Sequence, residues 1–384
     1  MTSASYSSAA AEPFEGLRIR GVAKTFGTDT TVLNEIDLDV HPGELISLVG
    51  SSGTGKSTLL RIIAGLEEPS AGRVTYAGQP LERGSVGVVF QRPILYPHLS
   101  VKDNILFPTR LGAFAGRVDM DYYRELLEAL KLEGLESRKP SQLSGGQAQR
   151  VGIARALIRR APVVLFDEPL ASVDEQMSAS IRADIVRLHE RYGFTGLYVT
   201  HDQNEALMLG QRVAVMDAGY LVQVDTPERL LAHPHTLQVA KLMAAPALNL
   251  LALEDSEALP AGCELAIRAT ALCPVAADAA HGLPVQVLGS RHLVGGMLYR
   301  GRLLDAVSLP LESRRASVDS EPSDRVYARV RAGQELEFFI PDVQSATLSG
   351  ASPNSTFLSV GERVHLGVAA ERCFLFSGGK RFYL

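Results

Sequence analysis

The chain has 384 residues, 46% of them apolar and 21% charged, with a formal net charge of −5. That length allows two or three domains with cores of their own, and the mildly acidic balance argues against a nucleic-acid binder working through a basic face. Three widely spaced cysteines, Cys263, Cys273 and Cys373, fit neither a disulfide scaffold nor a cysteine metal site.

The opening MTSASYSSAAAEP lacks a basic segment followed by an apolar core, so it does not read as a secretory signal. Its Ser and Ala content makes residues 1–14 an expected disordered tail. From Leu17 to about residue 240, short apolar runs alternate with helical patterns, as in an α/β domain spanning 15–244. Leu45–Val49 is a compact apolar run closed by Gly50, the form of a buried strand. Ser57–Ala64 then sets Leu59, Ile62 and Ile63 on one helical face, and Gly65 supplies a stop. Between about 92 and 150 strand signals thin out and helical runs such as Tyr122–Leu130 take over, which predicts a helical insert. Val163–Phe166 and Gly196–Thr200 read as two further strands, each leading into a charged or polar residue. The longest apolar stretch, Leu242–Leu253, is broken by Pro246 and Asn249 and falls short of the ~18 residues of a membrane span.

Beyond about residue 245 the texture changes. Val285/Val287, Val326/Ala328/Val330 and Val364/Leu366/Val368 recur at period two between Gly, Pro and Ser clusters, which predicts a small all-β domain over 245–384, closed as a barrel. LESRRASVDSEPSD at 311–324 reads as an exposed loop.

Three stretches carry chemistry. Gly50-x-x-x-x-Gly55-Lys56-Ser57 follows a strand and opens a helix, the context of a phosphate-binding P-loop. Its glycines let successive N–H groups converge on phosphate oxygens. Lys56 can reach the β- and γ-phosphates, and the Ser57 hydroxyl can ligate Mg²⁺. VVLFDEP at 163–169 puts Asp167 and Glu168 at the end of a buried strand. Alone, that is equally a strand running into an acidic turn; beside a P-loop, Asp167 is placed for Mg²⁺ and Glu168 to take a proton from attacking water. LSGGQAQR at 143–150 looks like a helix N-terminus stripped of side chains, a ready anion site or simply a capped helix.

LSGGQAQRVGIARAL (143–157), lying between a P-loop and an Asp-Glu strand, resembles the signature of ATP-binding-cassette (ABC) ATPases. The resemblance implies a P-loop α/β cassette with a helical subdomain over about 92–150, followed by a regulatory barrel like the OB-type domain of importer subunits. It places Phe26 at the adenine-stacking aromatic, Gln91 at the Q-loop, Asp174 at the D-loop and His201 at the switch histidine. The implied ATP-binding set is Phe26, Gly50, Ser51, Ser52, Gly53, Thr54, Gly55, Lys56, Ser57, Thr58 and Gln91. Ser57, Gln91 and Asp167 would hold Mg²⁺, and Glu168 and His201 would be catalytic. In such proteins two cassettes pair head to tail, so Ser144, Gly145, Gly146, Gln147 and Asp174 would act on the ATP of the partner.

A single cassette with no fused membrane span and no long heptad run resembles an importer ATPase. LYPHLSV (95–101) and the segment 226–251 are most similar to the carbohydrate-type group. The implied partners are a second cassette, two transmembrane permease subunits and, indirectly, an extracytoplasmic solute-binding protein, with no nucleic acid. The implied location is peripheral, on the cytoplasmic face of the membrane. The other reading is a non-transport ABC ATPase acting on soluble proteins. Two positions depart from the family pattern. Ala171 stands where Ser is usual before the D-loop, and Ile267-Arg268-Ala269-Thr270 stands where Ile-Arg-Pro-Glu is usual.

Overall fold

The structure is a computed structural model that describes residues 14–111, 118–255, 259–260, 262–279, 281–311, 326–341, 358–369 and 372–382. The expected tail, up to residue 13, and the expected loop beyond Leu311 lie outside the described residues. The chain divides into two compact units, residues 1–227 and 228–384.

The first unit runs β1 (Leu17–Phe26), β2 (Thr30–Val40), β3 (Leu45–Val49), α1 (Lys56–Ile63), β4 (Ala71–Tyr76), β5 (Gln79–Pro80) and β6 (Gly87–Val89). Helices α2 (Val101–Leu106), α3 (Met120–Ala129) and α4 (Gly145–Leu157) follow, then β7 (Val163–Asp167), α5 (Glu175–Tyr192), β8 (Thr195–Thr200), α6 (Gln203–Leu209), β9 (Arg212–Asp217) and β10 (Tyr220–Asp225). The strands expected from the apolar runs at 45, 163 and 196 are β3, β7 and β8. The helical insert appears as α2, α3 and the start of α4.

Six strands form the central sheet in the order β10-β9-β3-β8-β7-β6. All neighbours are parallel except the edge strand β10. A parallel sheet needs cover on both faces, so its strands are mostly apolar, and here the period of two divides them between two cores. Ile46, Leu48, Val163, Leu165, Leu197 and Val199 pack with Leu59, Ile62 and Ile63 of α1. Val164, Phe166 and Tyr198 face the other way, onto α3, α4 and α5. A separate antiparallel sheet, β2-β1-β4-β5, adds Leu17, Ile19, Leu33 and Leu38 to the α1 side. Sequence periodicity missed this sheet because β1 pairs through repeated register shifts, which break its alternation.

The second unit takes up all but the first residue of α7 (Pro227–Ala232) and contains α8 (Leu237–Leu242), then β11 (Leu248–Ala252), β12 (Glu264–Arg268), β13 (Cys273–Val275) and β14 (Leu283–Leu293). It continues with β15 (Gly296–Leu303), β16 (Val307–Leu311), β17 (Val326–Val330), β18 (Glu335–Pro341), β19 (Arg363–Gly367), β20 (Cys373–Ser377) and β21 (Lys380–Phe382). These strands form sheets of four (β11-β12-β20-β21), five (β13-β19-β14-β15-β18) and two (β16-β17). One core joins them, with Tyr299 stacked on Phe338 at 5.2 Å between centroids. The unit begins earlier than the change in texture near 245, because α8 packs Ala240 and Leu237 against Phe374 and Phe376, and Thr236 bridges to Lys380. Arg268, in the departing Ile-Arg-Ala-Thr stretch, lies over the Phe374 ring at 5.0 Å. Burial, with the nearby charges of Arg381 and Arg372, lowers its pKa to about 10.

Leu48 is wholly buried at the centre of the sheet. Leu48→Ala should therefore lower the unfolding free energy of the first unit by about 2–4 kcal/mol. Denaturant melts followed by circular dichroism check this, and a loss under 1 kcal/mol on the order expected of a surface site would contradict the packing described.

Candidate functional site

At the C-terminal edge of the central sheet, β3 delivers Gly50–Lys56 into α1. Gly55 caps that helix at φ 99°, a left-handed conformation that favours glycine. A Cβ there would also come within 2.7 Å of Leu33 and 2.8 Å of the Val32 carbonyl. Lys56 is buried, and its ammonium donates to the carbonyls of Gly50 and Ser51, both at 2.8 Å. Burial lowers its pKa, partly offset by the charges of Glu168 and Asp167. Thr54 Oγ1 donates to Ser51 O at 2.9 Å and closes the loop. Ser51, Ser52 and Gly53 are exposed at its rim.

Two strands away, β7 ends at Asp167, and Ser57 Oγ donates to Asp167 Oδ1 at 3.2 Å. Burial, together with the charge of Glu168, raises the Asp167 pKa against the Ser57 hydrogen bond and the charges of Arg61 and Lys56. Glu168 follows at φ 43°, a left-handed conformation unusual for a side chain of this size. Its N–H donates to Val199 O at 2.9 Å, and Oε2 lies 3.1 Å from His201 Nδ1. His201 itself leaves the end of β8, whose Tyr198 and Thr200 hydroxyls both donate to the buried Glu205. Among the described residues six other non-glycine positions share such a φ, and what sets Glu168 apart is its place beside Asp167 and His201 at the end of the sheet.

Gln91 follows β6 and is held from two directions. Ser172 Oγ donates to Gln91 O at 2.9 Å, and Gln149 Nε2 of α4 donates to Phe90 O at 3.1 Å. Ser172 looks like an ordinary polar position in the sequence, and the buried Gln149, although part of LSGGQAQR, carries no assigned role there. Their proximity to Phe90 and Gln91 is created by the fold alone. Phe26, at the end of β1, is an exposed ring with Lys24 Nζ 4.9 Å from its centroid.

Ser144 caps α4 in a reciprocal box. Gln147 N donates to Ser144 Oγ at 3.2 Å, and Ser144 N to Gln147 Oε1 at 3.0 Å. Ser144 and Gly145 are exposed, whereas Gly146 is buried. Asp174 caps α5, accepting from Met177 N at 2.9 Å. Among the described residues no hydrogen bond or ion pair joins Ser144–Gln147 to the Gly50–Thr58 loop or to Asp167 and Glu168. The fold therefore assembles the loop, the carboxylates and the histidine, and leaves the second helix start apart.

The donor chemistry suits a triphosphate with a hard divalent cation. Ser57 and Asp167 offer adjacent oxygens, and no group of three His, Cys, Asp or Glu exists among the described residues that could cage a metal by itself. Mg²⁺ fits such a site, because it keeps water and phosphate oxygens in its shell and needs only one or two protein ligands.

Comparison with known proteins agrees. A family model described as ABC transporter matches residues 33–171. The chain is 45% identical over 241 residues to sn-glycerol-3-phosphate import ATP-binding protein UgpC 1 of Rhizobium johnstonii, over 61% of this chain and 65% of that protein. It thus spans a little under two thirds of that relative's length. To the sn-glycerol-3-phosphate import ATP-binding protein UgpC of Salmonella typhi it is 42% identical over 266 residues, 66% of this chain and 74% of that one. Among solved structures, cbiO1 from Clostridium perfringens, part of the ABC transporter complex cbiONQ, matches with a TM-score of 0.52 at 27% identity, covering 58% of this chain and 92% of that one.

The raised pKa of Asp167 has a consequence for stability. A folded-state value above the unfolded one means that the native state binds the proton more tightly, so stability falls as pH rises through that interval. Asp167→Asn should raise the melting temperature of the nucleotide-free protein at pH 7 by roughly 2 °C, with the advantage shrinking as pH drops towards the carboxylate range. Calorimetry across pH tests this, and a destabilised variant at pH 7 would contradict it.

Proposed function

The chain belongs to the ABC transporter family of ATP-binding proteins, and from that footing we propose that it is the ATP-hydrolysing subunit of an importer. The observation that carries the reading is the convergence of Lys56, Ser57, Asp167, strained Glu168 and His201 at one sheet edge. The cradle N–H groups and Lys56 bind the β- and γ-phosphates of ATP, with the ammonium exchanging loop carbonyls for anionic oxygens. Bound Mg²⁺ would be held by Ser57, Gln91 and Asp167 and would neutralise charge on those phosphates. Water attacks the γ-phosphorus, the bond to the bridging oxygen of ADP breaks, and Glu168 accepts the proton of the attacking water. His201, bonded to Glu168 Oε2 at 3.1 Å, orients that carboxylate and faces the γ-phosphate. Phe26 stacks on the adenine.

Ser144, Gly145, Gly146, Gln147 and Asp174 act on the nucleotide of a second cassette. The exposure of Ser144 and Gly145, and their lack of bonds to the cradle of their own chain, support this. Two helix starts on opposite sides of one triphosphate neutralise more charge than one, so ATP closes the dimer and hydrolysis releases it.

The partners in the membrane are a pair of permease subunits. Exposed Ile94, Tyr96 and Leu111 lie in the segment that follows Gln91, where a permease helix can bury them while Gln91 reports the nucleotide state. The relatives are named for sn-glycerol-3-phosphate import, and a phosphorylated polyol or a sugar is the proposed class of solute, delivered by an extracytoplasmic binding protein. No helix among the described residues is long and apolar enough to cross a membrane, and attachment at the cytoplasmic face runs through the permeases. The second unit is read as a regulatory barrel of the OB type.

Glu168→Gln should reduce turnover by about 10²–10⁴-fold while leaving ATP binding intact. Phosphate release together with filter binding measures both, and near-wild-type turnover would remove Glu168 from its role. Specific activity of the isolated chain should rise with protein concentration, because no site is complete in one copy. A flat dependence for a chain that light scattering finds monomeric would contradict the paired mechanism. Purification of the tagged chain in mild detergent should bring down two multi-span proteins, and soluble partners alone would overturn the transport reading.

A further inference from the structure

Helices α4 and α5 begin at the two places the proposed dimer has to present together, Ser144 and Asp174. The structure fastens these helices to each other twice. Gly146 lies so close to α5 that a Cβ on it would come within 2.6 Å of Met177 Cγ. Further along, Arg150 of α4 stands 2.9 Å from Asp184 Oδ2 and donates to Ser180 Oγ at 2.8 Å.

Asp184 has no exposed surface. Besides Arg150, it meets Arg187 of its own helix, and Lys131, just beyond α3, at 3.4 Å. Lys131 also donates to Ser180 Oγ at 3.3 Å. One buried carboxylate therefore gathers cations from the helical insert, from α4 and from α5. A buried ion cluster is a poor way to gain stability, since apolar side chains of similar volume serve as well or better. Direction comes from the charged hydrogen bond of Arg150 to Ser180 Oγ, which fixes how α4 is rotated and shifted against α5, while the buried charge of Asp184 holds the guanidinium there.

We propose that Asp184 is a positioning residue that locks the Ser144 end of α4 to the Asp174 end of α5, so that both meet the partner cassette as one rigid edge. The proposal rests on the head-to-tail reading above. It makes the affinity between cassettes, and not the affinity of one cassette for ATP, the quantity that depends on Asp184.

The test uses the full chain carrying Glu168→Gln, in which ATP holds the dimer together. Sedimentation gives the ATP-dependent dimer dissociation constant, and a fluorescent ATP analogue gives the affinity of the monomer. Adding Asp184→Asn should weaken the dimer about tenfold or more, with monomer affinity changed less than about twofold. Lys131→Ala removes a half-exposed member of the cluster, and should weaken the dimer by about two- to threefold at an almost unchanged melting temperature. A parent that stays monomeric with ATP overturns the head-to-tail reading and this inference with it. A parent that dimerises, with Asp184→Asn dimerising equally well, overturns this inference alone, as does a loss confined to nucleotide binding by the monomer. Should Asp184→Asn fail to fold, Lys131→Ala decides, and an unchanged dimer constant overturns the proposal.

Discussion

Side by side and parallel, β3, β8 and β7 pair in such a register that Val49 lies opposite Thr200 and Asp167 opposite Val199. Parallel neighbours end at a common edge, so the loops that leave them emerge together there. This register brings the phosphate loop, the two carboxylates and His201 into one cleft although well over a hundred residues separate the first from the last. It is maintained by burial on both faces, where alternate residues of each strand enter different cores. A slip of one residue in any of the three strands would exchange those faces and scatter the cleft.

The cleft is held against local preference. Glu168 keeps a left-handed backbone, and burial works against the charge of Asp167 and that of Lys56. Each costs stability that the two cores supply, the usual relation between a working site and its scaffold. The same features serve chemistry. The turned backbone places the Glu168 carboxylate beside His201 while its N–H still bonds Val199 O. A partly desolvated lysine and aspartate gain from a bound polyphosphate and its cation more than exposed ones would.

Around the cleft, polar contacts from three side chains link segments far apart in the chain. Gln149 ties α4 to the Phe90 carbonyl, Ser172 ties the turn after β7 to the Gln91 carbonyl, and Asp184 draws Arg150 and Lys131 onto α5. The backbone on either side of Gln91 is thus joined both to the signature helix and to the approach to α5. In the proposed dimer, a shift at Gln91 would be felt by both of the elements that face the partner. That arrangement suits a protein whose chemistry is read out as movement, since packed elements respond by switching between discrete arrangements.

Much of this was legible in the sequence, for identifiable reasons. The runs at 45–49, 163–166 and 196–200 are strands because short runs made mostly of apolar residues are satisfied only by burial on both faces. The glycine and lysine spacing of the phosphate loop is local chemistry, independent of distant partners. The alternation at 285–287, 326–330 and 364–368 likewise falls within β14, β17 and at β19. The β1-β2-β4-β5 sheet stayed hidden behind its bulges, and α8 joins the second unit only through contacts with Phe374 and Phe376. Nothing near Gln149, Ser172 and Arg150 in the chain reveals their partners, and of the cations around Asp184 only Arg187 lies within a helical turn of it. What the sequence determined by itself was whatever depends on neighbours within a few positions: strand, helix, loop and the order of the motifs. The tertiary structure alone decided which strands lie side by side and which carboxylate is buried, because both depend on contacts between residues far apart in the chain.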